Sequence, residues 1–388
     1  MSMLAIVNIG CIVSGDIEKP VLEGNTILVA DGLIKAVGDQ GVLDGVKPDQ
    51  TVDAKGATVI PGLIDSHLHP VLGDFTPRQK TMDYLDSSVH GGVTSMISAG
   101  EPHAPGRPKD PAGVKALAVL AHKSYNNFRP LGLKVHGGAV ILEKGLTEDD
   151  FADLAGHGVW LVGEIGLGSV KTPEEAAPMV RWAKKYGMKV AMHTGGTSLP
   201  GSSTVTAGMV LDIDPTLVSH INGGTTAIPP AEVDRLIDES DLPLEIVQCG
   251  NPKVADYTAR RLKEKGRLNR VVIGNDSPSG TGIIPLGILK TIVQLASLSA
   301  IPAAKAVAMA TGNTARVFGL NTSIIEAGRE ADLVIIDAPL GSVGDDALKA
   351  MEAGDLPGVS MVIIDGVIRV RVSRNTPPAK RQAEIKQF

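Results

Sequence analysis

Cysteine is nearly absent from this 388-residue chain, with Cys11 and Cys249 as the whole complement. Two cysteines without C-x-x-C spacing exclude a disulfide framework, and a reducing cytoplasm is the expected compartment. Aromatics are almost as scarce, at 2 Trp, 4 Tyr and 5 Phe. The core must therefore be built from Val, Ile, Leu and Ala, and few rings remain on which bases could stack. Basic runs are missing too. Lys and Arg total 37 against 43 Asp and Glu, a net charge of −6, so nucleic acid is not an expected partner. No long apolar run occurs either. The longest weakly polar stretch, after Lys290, is interrupted by Gln294, Ser297, Ser299 and Pro302, so no membrane span is expected. The opening Met1–Val7 is apolar without a basic leader and reads as a first strand. What is there is ordinary globular usage, 43% hydrophobic and 21% charged, in a chain long enough for two or three domains.

Both ends are β-rich. Met3–Val7, Thr26–Ala30, Ile34–Val37 and Ala57–Ile60 read as short strands separated by turn signals. The same texture returns in Ala331–Ile336, Met361–Ile364 and Gly366–Val370. One small β-sandwich assembled from residues 1–60 and 324–388 accounts for both.

The middle, residues 61–323, alternates apolar runs with helical stretches. The runs are Leu63–His67, Val93–Ser98, Lys134–Leu142, Trp160–Ile165, Lys189–His193, Thr216–His220, Leu244–Gln248 and Arg270–Gly274. Thr172-Pro173-Glu174-Glu175 supplies an N-cap, a Pro at the first helical position and a capping-box Glu for a helix stopping at Gly187. Pro178 should kink that helix or mark a later start. Eight strand–helix units of this length predict an α/β fold of the (β/α)8 TIM-barrel type. An open doubly wound sheet is disfavoured because no G-x-G-x-x-G follows an early strand.

Barrel enzymes carry their chemistry at the C-terminal ends of the strands. There the chain places His67 and His69, Glu164, His193, His220 and Asp276. His67 and His69 are two apart on a strand and so face one side. Neutral imidazole suits Zn²⁺, Fe²⁺ and similar cations, and a carboxylate can bridge two of them. A single His at a strand end is usually structural, but four with two carboxylates predict a metal centre. His90, His122 and His157 fall in helical or Gly-flanked surface positions, whereas His103 and His136 are placed to approach the rim.

These residues resemble the amidohydrolase superfamily. The resemblance rests on Pro61-Gly-Leu-Ile-Asp-Ser-His67-Leu-His69, on His193, His220 and Asp276, and on the later Gly328-Arg-Glu-Ala-Asp-Leu-Val-Ile-Ile-Asp337. It implies one ion on His67, His69 and Asp276, and another on His193 and His220. Many members bridge the two with a carboxylated Lys; here no Lys ends strand 4, and Glu164 takes that place. Within the superfamily, Lys134–Gly145, His193–Ser198, His220–Gly224, Ile246–Pro252 and Gly274–Gly280 look like the enamidases. That likeness implies a homotetramer with two divalent ions, Zn²⁺ and Fe²⁺ or zinc in both sites. It also implies hydrolysis of 6-oxo-1,4,5,6-tetrahydronicotinate to 2-formylglutarate and ammonia by a metal-bridging hydroxide, with Asp276 as base.

The substrate's carboxylate needs a cation or backbone N–H groups. Arg78, Arg107, Lys171 and the Gly195–Ser198 turn are the candidates, and Cys249 should line the rim without acting as nucleophile. Other chemistries of the superfamily compete. Dihydroorotases carry an Arg two residues after the second His, where this chain has Val71. Hydantoinase-like ring opening stays open, a deaminase typically keeps a single metal, and an inactive assembly protein would have lost ligands.

Overall fold

Runs of apolar and β-branched residues buried on both faces form the centre of the computed structural model, which describes residues 2–70, 83–100, 106–197, 203–223, 226–278 and 282–386. Barrel strands 1 to 4 are Leu63–Leu68, Val93–Ser98, Lys134–His136 and Leu161–Ile165. Strands 5 to 8 are Lys189–Met192, Leu217–Val218, Leu244–Val247 and Val271–Gly274. Strands 1–3 pair side by side, as do strands 4–8. Parallel bridges Val140–Val162 and Leu68–Ser277 join the two sets at both edges, so the eight strands close into the expected barrel.

Strands 3 and 6 fall short of their apolar runs by more than one residue. Strand 3 stops at His136 because Gly137 and Gly138 follow, the latter at φ 88° and packed where a Cβ would meet the Ala118 carbonyl oxygen at 2.3 Å. Strand 6 ends early because His220 turns into left-handed backbone at φ 29°.

Crossover helices begin where the caps are. Asp110, Thr172 and Asn251 accept main-chain N–H groups at the starts of helices Pro111–Asn127, Pro173–Lys185 and Pro252–Glu264. Each has Pro in its first turn, where the missing N–H costs nothing. The Thr172 helix runs unbroken past Pro178 to Lys185, and Glu175 reaches back to the Lys171 N–H. Helix Pro230–Glu239 buries Val233, Leu236 and Ile237 against the barrel. Inside the ring, Ile64, Ile97, Leu161, Leu217 and Val272 form an apolar floor plugged by Phe318.

Strands from both ends of the chain make two further sheets. One runs in the order Glu384–Lys386, Gln50–Asp53, Met3–Val7, Thr26–Ala30, Leu33–Gly38. The other runs Val367–Val370, Gly358–Ile364, Leu333–Asp337, Thr58–Pro61, Cys11–Val13, Val21–Leu22. They share an apolar core that includes Ile6, Ile27 and Val52 from one sheet and Val59, Leu333 and Ile363 from the other. Among the described residues, no helix is long and apolar enough to cross a membrane.

Candidate metal centre

The strand ends bring six buried side chains to one point. His67, His69 and Asp276 form one compact group of potential ligand atoms, and Glu164, His193 and His220 form another. Glu164 links them. Its Oε2 lies 3.5 Å from the Nε2 atoms of both His67 and His69, and its Oε1 lies 2.6 Å from His220 Nε2 and 3.9 Å from His193 Nδ1. Asp276 Oδ1 stands 3.6 Å from His67 Nε2 and 3.3 Å from His69 Nε2.

Backbone bonds aim these groups. Asp65, buried in strand 1, accepts the N–H groups of His67 and Asn275 and the Asn275 side-chain amide, clasping strand 1 to the end of strand 8. Burial pushes the Asp65 carboxyl up to about 7, against the hydrogen bonds it accepts. His220 and Asp276 both sit in left-handed backbone, at φ 29° and 58°. Such conformations are costly for non-glycine residues and persist where the surroundings fix them. Thr194 donates to the carbonyls of Ser219 and His220, and the Asn222 amide spans to strand 7 at Val247.

The chemistry of the donor set fits divalent cations. His67 Nδ1 lies 2.7 Å from the Glu245 carboxylate, and His69 Nδ1 lies 2.9 Å from the Gly100 carbonyl. A ring nitrogen facing an oxygen acceptor carries the hydrogen. In the neutral rings, both Nε2 atoms are therefore bare lone pairs, facing each other at 3.2 Å. Across the site, both ring nitrogens of His193 and Nδ1 of His220 are buried without a hydrogen-bond partner. Once the rings are neutral, these converging nitrogen and carboxylate lone pairs are what a borderline cation satisfies.

The charges agree. Burial disfavours the charged forms of His67 and His69, but the surrounding carboxylates outweigh it, led for His67 by Glu245 and for His69 by Asp276. His67 is thereby raised well above its ordinary value, and His69 to about 9. Burial likewise opposes ionisation of Glu164 and Asp276, yet the neighbouring His rings hold both carboxyls well below the usual range. His193 goes the other way, lowered to about 4 by burial and by His220.

The remaining candidates separate. Cys249 Sγ donates to Asp276 Oδ2 at 3.1 Å, so the thiol does reach the site. Arg107 is held by Glu143 at 2.9 Å, both side chains nearly buried. In the candidate turn, Gly195 and Gly196 give their N–H groups to the carbonyls of Val205 and Thr226. Lys171 precedes its helix, half-buried, and its N–H binds Glu175. Arg78, Ser198 and His103 lie outside the described residues. His136 packs edge-on against Trp160, which precedes strand 4, so it belongs to the end of the barrel opposite the site. Glu245 is the residue that sequence reasoning missed. Its signal was available: a lone acid inside the apolar run Leu244–Val247 needs a buried partner.

A model of the amidohydrolase family matches residues 58–369. The chain is 62% identical to an enamidase of Eubacterium barkeri over 385 residues, covering 99% of this chain and 100% of that protein. A crystal structure of enamidase superposes with a TM-score of 0.96 at the same 62% identity, covering 99% of this chain and 100% of the other. A β-aspartyl dipeptidase from Fervidobacterium islandicum, 19% identical, superposes with a TM-score of 0.66 over 96% of this chain and 97% of the other, which is a likeness of fold.

Proposed function

Because this chain belongs to the amidohydrolase family, we propose that it hydrolyses a cyclic enamide, 6-oxo-1,4,5,6-tetrahydronicotinate, to 2-formylglutarate and ammonia. Full-length identity of 62% to an enamidase carries this reading, and the six converging donors supply the chemistry it needs. His67, His69 and Asp276 would hold one divalent ion, His193 and His220 the other, with one oxygen of Glu164 toward each. Zinc and iron, or zinc in both positions, suit this nitrogen and carboxylate set. When bound, such ions polarise the lactam carbonyl and lower the pKa of an attacking water to about 7.

Asp276 moves the proton. Its Oδ1 faces the metal-side lone pairs, and its other oxygen is held by the Cys249 thiol. From that position it accepts the proton of the attacking water and returns it to the departing ring nitrogen as the C–N bond breaks. The product enamine tautomerises to an imine. A second water adds to the imine and ammonia leaves, giving the aldehyde.

The proposal extends to the assembly: residues 61–323 as the catalytic barrel, 1–60 and 324–388 as the sandwich, in a cytoplasmic homotetramer. Light scattering on the purified protein tests the tetramer. An ammonia-release assay with the enamide, run beside ring-opening assays with dihydroorotate and hydantoin, tests the reaction. Turnover of the enamide is the expected result. Turnover of a rival ring with none of the enamide overturns the substrate while leaving a cyclic amidase.

A further inference from the structure

One buried carboxylate serves three groups of the site and is itself no ligand in either donor group. Glu245, in the middle of barrel strand 7, has no solvent exposure. Its Oε2 faces His67 Nδ1 at 2.7 Å and accepts the His220 N–H at 3.1 Å, while its Oε1 accepts the Ser66 hydroxyl at 2.5 Å. Ser66 and His67 lie on strand 1 and His220 two residues past the end of strand 6, one partner from each donor group and one beside the first.

We infer that Glu245 is a positioning residue, the orienter that sets His67 to present Nε2 to the first ion. The inference rests on the metal centre proposed above. At 2.7 Å the carboxylate oxygen of Glu245 is an acceptor for the His67 nitrogen that faces it, so Nδ1 is the N–H nitrogen and Nε2 is left as the lone pair. The negative charge also strengthens the imidazole as a ligand. The second contact acts on the backbone. By holding the His220 N–H, Glu245 fixes a left-handed residue that would otherwise relax toward extended strand. His69 Nδ1 faces the Gly100 carbonyl instead, so the two histidines at the end of strand 1 meet different acceptors. On Nδ1, His67 meets a carboxylate where His69 meets a carbonyl.

The test is metal affinity, measured on the full chain by competition with a chelator dye as zinc is added, with no substrate present. Glu245→Gln keeps an acceptor but loses the charge, and it should weaken zinc at the His67 group about tenfold. Glu245→Ala removes both and should weaken it by about 10- to 100-fold. Ser66→Ala removes only the third partner, and its affinity should stay within about twofold. Thermal unfolding of the metal-free variants separates packing from positioning. Loss at both ions in proportion to a lowered metal-free Tm overturns the inference, as does Ser66→Ala matching Glu245→Ala. Should neither Glu245 variant fold, a crystal structure of the zinc-loaded natural chain decides. Zinc on His67 Nε2 with Glu245 on Nδ1 supports the inference, and zinc on Nδ1 or on Glu245 itself overturns it. An inactive chain that shows the expected affinity ladder would fail the substrate reading alone.

Discussion

Asp276 keeps its two carboxylate oxygens in different company, one against the His67 and His69 rings and one on a thiol. Asp276→Asn preserves a ligating oxygen and removes the base, so zinc content should be retained while turnover falls by about 10²- to 10⁴-fold. Elemental analysis beside the ammonia assay checks this, and a metal-loaded variant with full activity refutes the base. His69 adds a pH dependence. Burial opposes its proton, but Asp276 and Glu164 hold its pKa at about 9, above the ordinary 6.5. A raised pKa stabilises the metal-free fold fully below pH 6.5, and that contribution is lost as pH rises through 9. Metal-free Tm should therefore fall between these two values, and zinc affinity should climb as the cation meets less competition from the proton. A calorimetric scan series decides it, since a rising metal-free Tm across the window contradicts the sign. The six donors were legible because polar residues interrupt apolar runs at their C-terminal ends. Glu245 was not, because it interrupts its run from the middle, where alternation alone does not say which partner it meets. Contacts to the substrate's carboxylate were illegible for another reason: the candidate cations Arg78, Arg107 and Lys171 fall between the apolar runs, where no periodicity points to a partner.

Strand ends approach one another closely enough that residue volume becomes a constraint on elements. At Gly274, the last residue of barrel strand 8, an added Cβ would lie 2.7 Å from His67 Cβ and 3.0 Å from Ser66 Oγ. Gly274→Ala should cost about 1–3 kcal/mol through overpacking. It should also displace His67, so zinc affinity at the first group should drop together with stability in urea. An alanine variant with unchanged affinity would show that strand 8 has room to retreat. Element type was readable from buried runs and caps, as the Thr172 helix shows. Element length was not always so. Strands 3 and 6 stop where glycines or a left-handed histidine turn the backbone, and dihedral choices of that kind answer to packing on the far side of the chain. Strands such as Cys11–Val13 and Gln50–Asp53 escaped for a related reason, being too short to show a period of two.

Across the whole molecule, barrel and terminal sheets are locked by Lys134. Its ammonium meets Asp332 at 2.7 Å, Asp365 at 2.8 Å and Glu330 at 2.5 Å, with the Asp332 side chain fully buried. Removing the cation strands a buried carboxylate, so Lys134→Met should lower stability by about 3–5 kcal/mol. Urea unfolding checks the value, and a loss under about 1 kcal/mol would mean Thr322 and the Asp365 N–H suffice for Asp332. That two flanks share one sandwich was legible from their matching texture. Which strand pairs with which was not, since partner choice between short strands is settled by distant contacts. Those pairings have a consequence in time. Gln50–Asp53 is flanked by Met3–Val7 on one side and by Glu384–Lys386 on the other. A ribosome adding roughly 5–20 residues per second emits the second neighbour on the order of tens of seconds after the first. During that interval the sheet stands beside a growing barrel with an unfilled edge. Four of that sheet's five strands lie within residues 3–53, so only its Gln50–Asp53 edge waits for the distant segment.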